Sequence, residues 1–378
     1  MIQQLTLSEF LTAAKNTPVV DVRTPAEFEQ GHIIGACNIP IFSNEERVKV
    51  GTTYTQVGKQ AAILLGFELT GPKWADFIRE AERIAPDKKI LVHCWRGGMR
   101  SGAMAWALDL YGFTVATLRN GYKAYRRAGI EALARDYPFV VLSGYTGTGK
   151  TGVLQELLRS GEQAIDLEEL AQHRGSAFGS LGKMKQPSQE QFENLLAAEL
   201  EKMDPGKRIW IEDESVTIGK RAIPKNIFAQ LIKAPLIRLD IPLQERLGFL
   251  TEEYGSLDKD FLKESVGRIS RRLGSLRVRL AIDAIEEGRM ADFIAHVLIY
   301  YDKAYRHCLD NRQPSTIHPL ALGRIDPVRN ARALLNFCHQ QNIVPQQSIA
   351  PRQNIVHSQN ITHQPNSIPP QNIVHGSD

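Results

Sequence analysis

The eight residues Gly144-Tyr-Thr-Gly-Thr-Gly-Lys150-Thr151 fit the pattern G-x-x-x-x-G-K-[ST], and they stand between an apolar run at 139–143 and a helical one at 152–159. That context demands a strand, a tight glycine turn and a helix. Glycines let successive N–H groups face phosphate oxygens, Lys150 neutralises their charge, and the Thr151 hydroxyl is placed for Mg²⁺. Gly144, Gly147, Gly149, Lys150 and Thr151 are therefore the phosphate-binding candidates. A further strand at 208–212 ends in Glu212 and Asp213. Alternation along a strand sends their side chains to opposite sides, so one of them serves the phosphate loop. Asp213 is preferred by a small margin, with Glu212 and Asp166 as the other acidic candidates. The motif does not separate ATP, GTP and a bare diphosphate ester, since all three present the same anionic group.

A second constellation lies upstream. Cys94 ends the apolar run 89–94 and is followed by Trp95-Arg96-Gly97-Gly98-Met99-Arg100-Ser101. Backbone N–H groups of such a loop curl around one point above the sulfur, and Gly97 and Gly98 permit the dihedrals this requires. Arg96, Arg100 and the following helix N-terminus add positive potential, which lowers the thiol pKa from about 8.5 and holds an anion on the sulfur. Cys94 is the nucleophile candidate, with Arg96, Gly97, Gly98, Arg100 and Ser101 around it. Cys37 has small apolar neighbours and reads as a packing residue; His32 and His93 read as hydrogen-bonded structural histidines. No metal cluster is expected.

The apolar runs at 18–23 and 89–94, with helical stretches at 75–84 and 101–111, predict an α/β domain with a largely parallel sheet. A charged helical stretch at 124–137 links it stiffly to the second domain. The chain thus divides into 1–128, 129–340 and a tail, 341–378. That tail repeats QNIV-like words at irregular spacing, carries charge only at Arg352 and Asp378, and is expected to be disordered. Charge excludes little: 46 basic against 42 acidic residues give a net charge of +4, so a polyanion partner must be met by local clustering. Arg268, Arg271, Arg272 and Arg279 supply such a cluster, with Arg268, Arg272 and Arg279 near one face of a single helix. Tyr122, Tyr125 and Arg126 serve as RNA contacts or core packing. The absence of a long apolar run argues against a spanning helix, four widely spaced cysteines suit a reducing compartment, and a cytoplasmic location is expected.

Asp21-Val-Arg-Thr-Pro-Ala-Glu-Phe-Glu-Gln-Gly-His-Ile-Ile-Gly-Ala-Cys-Asn-Ile-Pro40 resembles the opening signature of rhodanese domains. Its cysteine loop is one residue longer than that of the usual sulfurtransferases and matches rhodanese-fold phosphatases, so sulfur transfer and phosphate-ester hydrolysis both stay open at this point. The loop CWRGGMRS, then the P-loop, then His173-Arg174-Gly175-Ser176-Ala-Phe-Gly179 and WIEDES, resembles in that order the tRNA 2-selenouridine synthase family over roughly residues 5–310. The resemblance implies an α/β chain with an N-terminal rhodanese-like domain and a P-loop NTPase-like parallel-sheet domain. It implies geranylation of the wobble 2-thiouridine of tRNA by geranyl diphosphate, then replacement of the S-geranyl group by selenium derived from selenophosphate. Cys94 would carry selenium as a selenyl sulfide, and the P-loop would take the diphosphate, with Mg²⁺ as its companion and no tightly bound cofactor. His173, Arg174 and Ser176 become substrate-loop candidates. The competing readings are a rhodanese-fold phosphatase or persulfide sulfurtransferase with a nucleotide-binding domain, and a nucleotide-gated RNA-binding protein whose rhodanese part is inert.

Overall fold

Two five-stranded sheets, each parallel throughout, organise the chain in a computed structural model that describes residues 2–173, 185–255, 257–310 and 312–343. The first is built from β1 (Gln3–Leu5), β2 (Val19–Asp21), β3 (Cys37–Asn38), β4 (Lys89–His93) and β5 (Thr114–Leu118), in the order β1-β5-β4-β2-β3. Both faces are covered, as a parallel sheet requires. Val20, Ile90, Val92 and Val115 pack on one side with Met104 and Leu108, while Val19, Leu91 and Leu118 pack on the other with Phe10 and Tyr122. Two helices, Asn44–Gln56 and Lys59–Thr70, are inserted between β3 and β4.

The second sheet uses β6 (Phe139–Gly144), β7 (Gln163–Ile165), β8 (Ile209–Glu212), β11 (Leu236–Asp240) and β12 (Ile317–Ala321) in the order β12-β11-β6-β8-β7; β9 (Thr217–Ile218) and β10 (Arg221–Ala222) form a small antiparallel ribbon. Phe139, Val141, Ile209 and Ile211 face one core, and Val140, Leu142 and Trp210 face the other. The chain leaves β6 for β8 and β7 on one side and reaches β11 on the other. The C-terminal end of β6 is therefore a switch point, the usual place for a ligand in an open parallel sheet. Helices Leu243–Tyr254, Lys259–Leu273, Ser275–Glu286 and Met290–Asp310 form a bundle between β11 and β12, with its own core around Leu262, Val266, Phe293 and Val297.

The described residues lie in one compact unit. Helix Gly121–Leu133, which follows the first sheet, packs on Gln189–Lys202 of the second half. Asn194 Nδ2 donates to the Tyr122 hydroxyl at 2.7 Å, the His32 amide donates to Gln191 Oε1 at 2.8 Å, and Arg126 pairs with Glu193. Tyr122 is fully buried. Core packing and an internal junction account for Tyr122 and Arg126, so neither is offered to RNA. The basic stretch also departs from expectation: Gly274, at φ 87°, ends one helix and begins another. Arg268 and Arg272 therefore sit on a different helix from Arg279. Cys37 is exposed rather than packed, because β3 is a two-residue edge strand. The tail residues 344–378 lie outside the described residues.

Candidate functional site: a thiolate loop and a phosphate loop

β4 delivers Cys94 to the end of the first sheet, where the thiol is 3% exposed. Gly97 adopts φ 65°, and a Cβ there would lie 2.5 Å from the Leu118 carbonyl oxygen. Only glycine fits that turn. The Gly98 amide donates to Sγ at 3.3 Å, and Ser101 Oγ lies 3.2 Å from the sulfur. Burial pushes the thiol pKa up, but the Ser101 hydroxyl and the N–H groups of Ser101, Gly98 and Arg96 outweigh it, and the net shift is downward. The donors around Cys94 thus favour the charged form of its sulfur.

The two arginines of the loop divide. Arg100 grips Glu27 through Nη1 at 2.6 Å and Nη2 at 3.1 Å, so its charge is already partnered; Arg96 is exposed at the mouth of an adjoining cavity. Beneath the loop is a buried pair that sequence reasoning missed. Arg23 binds Asp21 at 2.6 Å and lies 3.9 Å from the Tyr122 ring centroid. The signal was available as the Asp-x-Arg spacing on one strand end. His93 is fully buried, which lowers its pKa to about 4 despite Asp21 nearby. It stays neutral at ordinary pH. His32 rests on Phe28 and places Nδ1 2.9 Å from that residue's carbonyl oxygen.

At the switch point of the second sheet, Gly147 (φ 81°) and Gly149 (φ 73°) shape the turn, and Lys150 Nζ reaches back to the Gly144 carbonyl at 3.3 Å. Lys150 and Thr151 open helix Lys150–Arg159. The acid beside them is Glu212, not the preferred Asp213. Asp213 accepts from Ser143 Oγ at 2.5 Å and from Arg312 at 2.7 Å, which occupies both of its oxygens. Glu212 is 1% exposed, close enough to the Thr151 hydroxyl to be hydrogen-bonded, and its Oε1 has no partner among the described residues. Burial, then the charges of Glu168 and Asp166, raise its pKa to about 8. Glu214 is raised as well, first by burial and then by Glu168 and Glu212.

Glu168, Glu212 and Glu214 place carboxylate oxygens within 4.8 Å of one another, a group the sequence did not disclose. Hard oxygen donors, one of them buried and unpartnered, fit Mg²⁺. Asp166 instead caps helix Leu167–Ala171, accepting from the Glu169 amide at 2.8 Å. The helical bundle braces the phosphate loop from the other side. Arg246 donates to the Thr146 carbonyl at 2.9 Å while held by Asp302, and Tyr305 reaches Ser143 Oγ at 2.7 Å.

Of the remaining candidates, His173 is half-buried, and its pKa is lowered by burial and then by the Arg268 charge. Arg174 and Ser176 lie outside the described residues. Arg268 pairs with Glu264 at 2.9 Å, and Arg272 donates to the Tyr300 hydroxyl at 3.2 Å. Arg271 and Arg279, on successive helices, line one cleft. Among the described residues, no helix is long and apolar enough to cross a membrane.

Comparison with known proteins matches both halves. Residues 137–324 match the tRNA 2-selenouridine synthase AAA domain, and residues 6–128 match the rhodanese-like domain. Among solved structures, the chain is similar to the N-terminal domain of a protein named for ATP/GTP binding from Clostridium difficile 630, at 40% identity over 33% of this chain and 97% of that one, with a TM-score of 0.31. It is also similar to a rhodanese-related protein from Thermoplasma volcanium, at 22% identity over 34% of this chain and 93% of that one, with a TM-score of 0.22.

Proposed function

Because the chain belongs to the tRNA 2-selenouridine synthase family, we propose that it works in two steps at two sites. In the first, the sulfur of a wobble 2-thiouridine attacks C1 of geranyl diphosphate. A C–S bond forms, a C–O bond breaks, and diphosphate leaves. In the second, selenium from selenophosphate forms a bond to C2 of the base while the C2–S bond breaks and geranyl thiol departs; the phosphoryl group of the donor ends on water as phosphate. Alkylation makes the second step feasible, since a thiol leaves where a thione sulfur does not.

The phosphate loop suits the first step. Lys150 and the glycine-turn N–H groups would hold the diphosphate as charge grows on it, and stabilisation of developing charge is where such donors are most effective. Mg²⁺ held by Glu168, Glu212 and Glu214 beside Thr151 would supply further neutralising charge there. The thiolate nest suits the second step. Selenophosphate would bind against Cys94 with the loop N–H groups on its anionic oxygens; as the Se–P bond breaks the phosphoryl group would pass to the Cys94 sulfur and then to water, with Ser101 stabilising the sulfur as it leaves.

The observation that carries this reading is the Cys94 sulfur, buried and met by the Gly98 amide and the Ser101 hydroxyl, in the same compact unit as an intact phosphate loop. An inert rhodanese part has no use for that nest. Phosphate-ester hydrolysis is disfavoured by Arg100, whose guanidinium is held by Glu27. The test is reconstitution: purified protein, a 2-thiouridine anticodon stem-loop, geranyl diphosphate and selenophosphate, followed by nucleoside mass. S-geranyl-2-thiouridine should appear first and 2-selenouridine after it. Selenation with no dependence on geranyl diphosphate would overturn the two-step reading.

A further inference from the structure

Beside the cysteine loop lies a cavity of about 530 Å³, well within the size range of small-molecule sites. One wall is the cysteine loop and its helix, through Arg96, Met99 and Ala103; the other is the inserted helix pair, through Tyr54 and Phe67, with Trp74 at the base. The lining is mainly apolar, with three arginines in it: Arg96 and Arg100 from the cysteine loop and its helix, and Arg47 from the insert. Arg96 follows Cys94 by two residues and is exposed. The cavity is therefore amphiphilic, apolar along much of the insert and carrying Arg96 and Arg100 where the cysteine loop and its helix form the wall.

The insert itself is unusual for a surface element. Helix Lys59–Thr70 reads KQAAILLGFELT, apolar around most of its circumference. A helix of that kind is normally buried. Here Phe67 is 60% exposed, and Tyr54 and Met99, at the same cavity, are 51% and 59% exposed. Large apolar side chains so exposed around one cavity mark a binding site rather than ordinary surface.

We propose that this cavity holds the geranyl chain of the S-geranylated uridine while selenium replaces sulfur at C2, an inference that rests on the two-step reading above. The chain would lie along Phe67, Tyr54 and Met99. That position directs the base and its C2 toward Cys94 and the nucleotide phosphates toward Arg96. Recognition of the leaving group would then select alkylated over unalkylated thiouridine at the thiolate site, which enforces the order of the two steps.

The test compares two anticodon stem-loops, one bearing S-geranyl-2-thiouridine and one S-methyl-2-thiouridine, each selenated from selenophosphate. Wild type should prefer the geranyl substrate in kcat/KM. Tyr54→Asp and Phe67→Asp, each at a half-exposed position, should reduce that preference by roughly tenfold to a hundredfold, as misfit in an apolar pocket does. Phe67→Leu, which keeps the site apolar, should retain most of it and guards against misfolding as the cause. An unchanged preference in folded Asp variants, or no preference in wild type, would overturn the cavity assignment while leaving the two-step reading intact. Equal loss of geranylation from geranyl diphosphate would also overturn it, because the cavity would then serve the first step. Failure of wild type to selenate the geranyl substrate at all would overturn both.

Discussion

The Tyr122 hydroxyl donates to Glu190 Oε1 at 2.6 Å, while the Tyr122 amide donates to the Cys94 carbonyl at 2.8 Å. One residue thus fastens the thiolate loop to a helix of the phosphate-loop half. Tyr122→Phe would leave Glu190 and Asn194 without this partner at a junction with little solvent access. A loss of about 1–3 kcal/mol in stability is expected, read from the denaturation midpoint. A change within error would mean that the junction is held by its other contacts, Arg126 and Gln191 among them.

The thiol prediction follows from Ser101. Its hydroxyl favours the charged sulfur, so Ser101→Ala should raise the Cys94 pKa. The lost hydrogen bond is one that stabilises the charged form, so its removal disfavours ionisation. The alkylation rate of Cys94 against pH gives the midpoint directly. It should move upward in the variant; a midpoint that stays put would show that the loop N–H groups alone hold the thiolate.

Much of this was legible because each loop carries its geometry in consecutive residues. In CWRGGMRS and GYTGTGKT the glycines, the cations and the strand-helix context are local, so the turn and its anion-binding purpose can be read together. The acid at the phosphate loop was only half legible. Strand alternation separates Glu212 from Asp213, but the choice between them depends on Arg312 and Ser143, which are distant in sequence and engage Asp213. Glu168, Glu212 and Glu214 come from two chain segments, and only folding assembles them. The single basic helix failed at Gly274, which a periodic pattern tolerates but whose positive φ here ends a helix. Cys37 failed because small apolar neighbours predict packing only where a sheet continues, and here it ends.

The acidic group predicts a linked response to pH and Mg²⁺. Glu212 has a folded pKa of about 8 against an ordinary value of 4.5, so the native state keeps a proton that the unfolded chain has released. Stability from this group is full below about pH 4.5 and is lost as pH rises toward 8. Mg²⁺ takes the place of that proton. Its stabilising effect on the melting temperature should be small at pH 5 and large at pH 8.5, and Glu212→Gln should flatten the difference. An equal Mg²⁺ shift at both pH values would place the ion elsewhere.

For tRNA, the structure changes which arginines to test. Arg268 and Arg272 already have partners in Glu264 and Tyr300, whereas Arg271 and Arg279 share a cleft. Replacing Arg271 and Arg279 with Gln should weaken binding and flatten log affinity against log salt, by about 0.9 per lost duplex phosphate contact. A filter-binding salt titration with one tRNA reads the slope. If only the Arg268/Arg272 pair of substitutions lowers it, the RNA runs along the first helix instead of the cleft.

The central claim is that two sites perform two separable steps, and nucleoside mass analysis of tRNA from cells carrying Cys94→Ser or Lys150→Ala tests it most directly. Cys94→Ser should abolish 2-selenouridine and let S-geranyl-2-thiouridine accumulate. Lys150→Ala, lacking a charge-assisted contact of roughly 1.5–3 kcal/mol to diphosphate, should diminish both products and leave 2-thiouridine. Retained selenouridine in Cys94→Ser, or undiminished geranylation in Lys150→Ala, would contradict the account.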